Sequence, residues 1–254
     1  MKTFAYVVWL LIGLGLSAAA YAVSGPSGVV GAGVGYQPYD PAGSRHQTVP
    51  LPYFDLDWGD VSLDTDDGLT WSVLKADGWS AGPSINYVPG RNANGSLRGL
   101  RDVPDRALVG GFVQYSPAEF WRLYAQLGQT VGGAGGQGGW AGKVGGELGY
   151  PLAMGIIGSN QLMAHFADGR EMSTFFGVSE NSALDSGIPG YKASGGFQNV
   201  TLTQSVEFPL APRWSLVASA SWAHLLGSAA QSTIVKEVGE VNQTSVQTAM
   251  SYKF

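Results

Sequence analysis

The chain has 254 residues, no cysteine and a net charge of −5. Only 13% of its residues are charged, about half the share usual in a soluble domain, and 38 are glycine, about twice average usage. It is too apolar and aromatic for a disordered chain. It has no long basic run to suggest a nucleic-acid partner, and without thiols it can build neither a disulfide scaffold nor a thiolate metal site. Low charge with abundant Gly, Ser and aromatic residues is ordinary for a β-barrel in a membrane.

The first 22 residues read as a secretory leader. Lys2 is the charged start, Phe4 to Leu16 is an apolar stretch, and Ala20-Tyr21-Ala22 fits the small-x-small cleavage rule, so the cut is expected after Ala22. The alternative is an uncleaved anchor, but the run is short and ends in small residues. Residues 23–254 then form one domain. No later stretch approaches the roughly 20 apolar residues of a spanning helix.

From there the period is two. Twelve alternating segments are predicted near 28–37, 47–57, 60–65, 68–75, 79–88, 107–116, 119–130, 139–151, 155–166, 197–208, 213–226 and 243–254. Side chains alternate sides along a strand. In the fifth segment Trp79, Ala81, Pro83, Ile85 and Tyr87 alternate with Ser80, Gly82, Ser84 and Asn86. In the seventh, Trp121, Leu123, Ala125 and Leu127 enclose Arg122 and Gln126. In the eleventh, Trp214, Leu216, Ala218, Ala220 and Trp222 alternate with Ser215, Val217, Ser219 and Ser221, and in the last Val246, Thr248, Met250, Tyr252 and Phe254 share one face. A soluble sandwich also alternates. Here the polar face is mostly Ser, Gly, Thr, Asn and Gln, which suits a lumen, and aromatics sit at strand ends as membrane girdles do. Only helices and closed barrels pair every backbone group within lipid. The expected fold is therefore all-β: a transmembrane antiparallel β-barrel of about 12 strands, with 10 and 14 as alternatives.

Short and longer connections alternate. Trp58–Asp60, Ala76–Gly78, Ser116–Ala118, Pro151–Gly155 and Pro209–Arg213 are tight turns, expected in the periplasm. The stretches 38–46, 89–106, 131–138, 167–196 and 227–242, with the brief Asp66-Asp67-Gly68, are expected on the outer side. Trp58, Trp79 and Trp214 then line the periplasmic rim, as a lipid belt or as partner contacts. Arg91, Arg98, Arg101 and Arg106 fall in an outer loop, where guanidinium groups could pair with lipopolysaccharide phosphates. The alternating last strand ends in Tyr252 and Phe254, a signal that barrel-assembly machinery reads. Asp64, Arg122, Lys143, Glu147, Glu207 and Lys253 are expected to face the lumen, where mixed signs predict cross-barrel ion pairs rather than a one-sign selectivity ring.

Chemical motifs are weak. His46, His165 and His224 lack metal-ligand spacing. Asp64-Thr-Asp66-Asp67-Gly68 resembles the start of a calcium loop but lacks the terminal bidentate acid, so an Asp-Gly hairpin tip is the better reading. The glycines of 132–139 are followed by no Lys-Ser/Thr and read as a flexible outer loop. No His-x-Ser pair supplies a barrel hydrolase. Neither catalytic, cofactor nor metal residues are expected.

Several segments, in order, resemble the MipA/OmpV family of outer-membrane proteins. They are Gly31–Tyr36 with Val49–Phe54, then Phe175–Ser179, Ser186–Tyr191 with Gly195-Gly196, Pro212–Trp214, Leu225-Leu226 with Ala229-Ala230, and Ser251–Phe254. One departure is Ser232-Thr-Ile-Val235, where the family usually has a Ser-Pro-Ile-Val-like stretch. The resemblance implies a barrel in the outer membrane of a Gram-negative cell; with the missing catalytic set it is expected to be non-enzymatic, in contact with lipid and, through the loop arginines, with lipopolysaccharide. It further implies a scaffold role towards a murein transglycosylase or synthase, in murein remodelling or envelope maintenance. A porin-like channel for small solutes is the alternative, drawn from the polar lumen.

Overall fold

A computed structural model describes residues 25–133 and 138–254. The expected leader over 1–22 lies outside the described residues, as does the middle of the glycine-rich loop. Among the described residues thirteen strands follow one another: β1 (Ser27–Pro38), β2 (His46–Trp58), β3 (Val61–Asp64), β4 (Gly68–Trp71), β5 (Leu74–Ala76), β6 (Trp79–Val88), β7 (Arg106–Ala118), β8 (Trp121–Val131), β9 (Trp140–Pro151), β10 (Ile157–Ala167), β11 (Gly196–Ala211), β12 (Trp214–Leu225) and β13 (Asn242–Lys253). Each pairs antiparallel with its chain neighbour, apart from β4 and β5, and β1 pairs with β13. Both β4 and β5 pair with β6, so they are two halves of one interrupted strand. The result is a closed barrel of twelve strands. The interruption lies opposite Gly82 and Pro83, where proline has no N–H to give a ladder.

The alternation read from sequence is the alternation of the wall. Leu123 and Leu127 are about half exposed on the outside of β8, whereas Gln126 and Thr130 on its inner face are 2% and 0% exposed. Val109, Val113, Val144, Leu148, Leu162, Leu202, Val246 and Met250 continue the apolar exterior. Aromatics gather at both edges of this band. At the end with the tight turns, Trp79 lies 4.6 Å from Tyr115, Tyr115 lies 5.6 Å from Trp121, and Trp214 lies 5.0 Å from Tyr252. At the loop end Tyr36 stacks on His46 and Trp222 on His224. Trp214 and Trp222 are eight residues apart on β12. At about 3.3 Å per residue and a tilt of about 40°, that is about 20 Å along the barrel axis. An apolar band of that height between aromatic rings fits a bilayer core.

One hairpin departs from expectation. Asp66-Asp67-Gly68 does not reach the outer rim. β3 pairs with β2 only from Asp55 to Trp58, with Thr65 bonded to Phe54 just beyond, so β2 runs on without a strand partner for eight more residues on that side. Four-residue arms span about 13 Å, roughly half the wall. The tip therefore ends part-way up, at a depth where carboxylates facing lipid would be costly. It turns inward instead.

The long connections are structured. They carry α1 (Gly169–Phe176), α2 (Glu180–Ser186), α3 (Gly227–Ala230) and α4 (Thr233–Val238). The side chains of Asp168, Ser179 and Ser232 cap α1, α2 and α4 at their N-termini. Gly187, at φ 76°, ends α2 in the left-handed region that glycine tolerates.

Candidate functional site: the lumen latch and the outer cap

Two polar assemblies occupy the barrel. The first hangs on the inward hairpin. Asp64 Oδ1 accepts from the backbone N–H groups of Asp66 and Asp67, each at 2.6 Å, which fixes the tip as an Asx turn. Asp67 then crosses the lumen to β8 and β9. Its carboxylate takes Arg122 Nη1 at 2.6 Å and Lys143 Nζ at 2.5 Å. Arg122 also holds Glu147 at 3.1 Å through Nε. Lys143 donates to the Asp66 carbonyl, Gln126 donates to Ser84 Oγ, and Asn86 donates to the Asp66 carbonyl from β6. Both cations lie over the Tyr124 ring, at 5.5 and 5.2 Å. The hairpin tip is thus latched to the opposite wall and narrows the lumen at mid-height.

The predicted lumen set is brought together in part. Arg122, Lys143 and Glu147 join one network, and mixed-sign cross-barrel pairing is what the structure has. Its centre, Asp67, sits in what the sequence presents as an ordinary Asp-Gly turn. No pattern in the chain signals it, because an Asp-Gly tip reads the same whether it points out or in. Asp67 is also unsuited to the calcium reading, since both carboxylate oxygens already face cations. Among the described residues no group of three His, Asp or Glu side chains is arranged to hold a metal.

The second assembly closes the loop end. Phe176, Ala229, Ile234, Leu97, Met172 and Leu225 are at most 2% exposed, although they belong to connections or strand ends. They form a hydrophobic core over the barrel mouth with Phe175, Val178, Ile188 and Val235. Polar groups tie this cap to the wall. Arg106, at the start of β7, makes a bidentate pair with Glu171 of α1 at 2.7 and 2.6 Å. Thr130 Oγ1 donates to the same carboxylate at 2.8 Å, and the Arg106 guanidinium lies 5.3 Å from the Phe175 ring centre. Arg91 donates to the Phe175 carbonyl, and Ser232 Oγ to the Phe176 carbonyl, each at 2.6 Å. Burial pushes the Asp40 carboxyl up, against the pull of the Ala42 amide and of Arg91. Burial likewise lowers Arg91 from its ordinary value, with Asp40 opposing.

The four predicted arginines divide. Arg91 and Arg106 are buried and hold the cap, whereas Arg98 and Arg101 are exposed. Arg91, Arg101 and Arg106 nevertheless line one crevice of about 170 Å³, which Arg170 joins from α1. Trp79 and Trp214 sit in the aromatic ring at the turn end, and Trp58 closes the β2–β3 turn at that same end. Tyr252 packs at a tilt against Trp214, and the Phe254 amide donates to the Gly28 carbonyl, so the last residues are bound into the closing seam.

The family model described as MltA-interacting protein MipA matches residues 30–254. Among solved structures, the chain is similar to the NanC porin, with 8% identity over 89% of this chain and 100% of that one, at a TM-score of 0.48. An anion-selective porin from Comamonas acidovorans shows 12% identity over 90% of this chain and 98% of that one, at 0.34. The outer membrane protein OprG from Pseudomonas aeruginosa shows 11% over 90% and 95%, at 0.32. No curated protein matches the chain in sequence.

Proposed function

The chain belongs to the MltA-interacting protein family MipA, and we propose that it is a non-enzymatic scaffold in the outer membrane of a Gram-negative cell. It is delivered there by a leader cleaved after Ala22 and inserted by the barrel-assembly machinery, which reads Tyr252 and Phe254. The tight-turn end faces the periplasm, and the cap faces outward. The partner is a murein transglycosylase, alone or with a synthase, as the family's description suggests. Its contact falls on the turn end, where Trp58, Trp79 and Trp214 offer large amphipathic side chains. At the other end, Arg98 and Arg101 meet lipopolysaccharide phosphates, with the crevice under Arg170 as the anchoring point.

The cap is the observation that favours a scaffold over a solute channel. A mouth filled by a hydrophobic core, above a lumen crossed by the Asp67 latch, is built to stay shut. The test is a pull-down of purified protein in nanodiscs with a murein transglycosylase, beside planar-bilayer recording. Transglycosylase capture that falls tenfold in a Trp79→Ala/Trp214→Ala protein, with no discrete conductance, supports the scaffold. Steady open channels without capture would establish the channel instead. Arg98→Glu/Arg101→Glu should weaken lipopolysaccharide binding and leave transglycosylase capture unchanged.

A further inference from the structure

The inward hairpin leaves the wall incomplete. β2 turns its even-numbered backbone groups away from β1: the Phe54 N–H donates to Thr65 Oγ1, and the Phe54 carbonyl accepts from the Thr65 N–H at 3.0 Å. Pro52, Pro50 and Thr48 have the same parity, so they face the same side beyond the hairpin tip. Among the described residues, no strand pairs with β2 there. On the far side, β6 pairs with β4 no further than Ile85. Just beyond it the Tyr87 N–H donates to the Asn86 side-chain oxygen at 2.7 Å. The loop overhead meets the β1–β2 connection through Asn94 to Tyr39 and Arg45 to the Asn94 carbonyl. A window is left, with the hairpin tip as its sill, β2 and β6 as its jambs and that loop as its lintel.

The residues around the window suit an apolar visitor. Pro50 and Pro52 remove two backbone donors from the free edge of β2, which disfavours pairing with a strand of another chain. Outside the wall β2 shows Pro50, Pro52 and Phe54; inside it shows Val49, Leu51 and Tyr53, all only partly buried. The inner face of β1 beside them is Gly31, Gly33 and Gly35, which add no side chain, and Leu51 leans over Gly35. Gln247, of lumenal parity on β13, is exposed, so this side of the lumen has free space. The opposite side, by contrast, is filled by the buried Phe112, Tyr124, Gln126 and Met163. Above, the cap closes the axial exit.

We propose that this window is a lateral portal through which an acyl chain of a bilayer lipid enters the outer half of the lumen and lies against Val49, Leu51 and Tyr53. The proposal rests on the membrane-spanning reading of the barrel, not on the scaffold role. The absence of cysteine in the chain makes the test direct. Single cysteines at Leu51, at Pro52 and at Ser219 would carry a bimane label in vesicles of acyl-brominated phosphatidylcholine. Ser219 is the lumenal control on β12, and Pro52 the lipid-facing one. Heat-modifiable migration would verify folding, with Val49→Cys as a second lumenal position beside the portal. Quenching at Leu51 approaching that at Pro52, and at least threefold above that at Ser219, is expected. Quenching at Leu51 no greater than at Ser219, with Pro52 still quenched, would overturn the portal. An unquenched Pro52 would instead overturn the membrane parity itself.

Discussion

Replacing Glu171 by Ala should open the cap while leaving the barrel closed. The Glu171 and Arg106 side chains are 5% and 6% exposed, and the carboxylate accepts two guanidinium bonds and a third from Thr130. An exposed ion pair is worth about 0–1 kcal/mol. Removing one partner of a buried pair costs about 3–5 kcal/mol, because the remaining charge is left without compensation. Arg106 keeps only its 3.2 Å bond to Thr130 and its stacking on Phe175, which places the loss toward the lower end of that range. At about 1.4 kcal/mol per factor of ten, the cap should open between about a hundred-fold and a few thousand-fold more often. Hydrogen exchange of the Phe175, Phe176 and Val178 amides reads this opening directly, with the β12 and β13 amides as an unperturbed reference. An Arg106→Met/Glu171→Leu protein, which removes both charges, should recover most of the protection. Protection changed by less than tenfold in Glu171→Ala would refute the claim that this pair ties the cap to the wall.

Other outcomes follow from the same geometry. Ala218 lies midway between Trp214 and Trp222 on the lipid face of β12, so Ala218→Arg should cost about 2–4 kcal/mol in reversible unfolding from vesicles. Val217→Arg, which points into the lumen, should cost less, and equal penalties would break the parity. Asp168→Ala removes the α1 cap and should cost about 1 kcal/mol of cap stability. Burial opposes the Asp168 charge, but the backbone donors of Glu171, Trp140 and Arg170 outweigh it and hold the carboxyl below its usual 3.8. Its contribution is therefore present above about pH 4 and lost as pH falls through the lowered folded value. Asp168→Asn, which still caps, should show no such acid loss in exchange at α1. Deleting Tyr252–Phe254 removes the ring contact with Trp214 and the bond to Gly28 and should leave periplasmic, protease-sensitive protein; heat-modifiable barrel in the outer membrane would contradict this.

The barrel was legible because lipid enforces a two-residue period on every strand. Leu123 and Arg122 could not exchange faces without a charge entering the bilayer. The girdles were legible for the same reason, since Trp79, Trp121 and Trp214 are large amphipathic side chains at strand ends, where a membrane interface places them. The latch was not. Asp67 meets Arg122 and Lys143 across 55 and 76 residues of sequence, and no local pattern reports a turn that folds inward. The cap was hidden because its helices are eight residues or shorter, too brief for a helical period to rise above loop composition. Two segments that carry the family resemblance, Phe175–Ser179 and Ser186–Tyr191, supply Phe175, Phe176, Val178 and Ile188 to its core. Pro50 and Pro52 were visible in the chain, but their meaning depends on which edge they face. That in turn depends on how far β3 climbs.

The central claim is a barrel that spans the membrane with its cap outside and its tight turns inside. Cysteine labelling in intact cells tests it most directly. Leu184, 85% exposed on the cap, and Glu119, in the tight turn between β7 and β8, would each be replaced by Cys in the cysteine-free chain. A membrane-impermeant maleimide should label Leu184→Cys in intact cells and Glu119→Cys only after the outer membrane is permeabilised. Labelling of Glu119→Cys in intact cells with Leu184→Cys protected would show the barrel inverted, and equal labelling of both would show that it does not span the membrane.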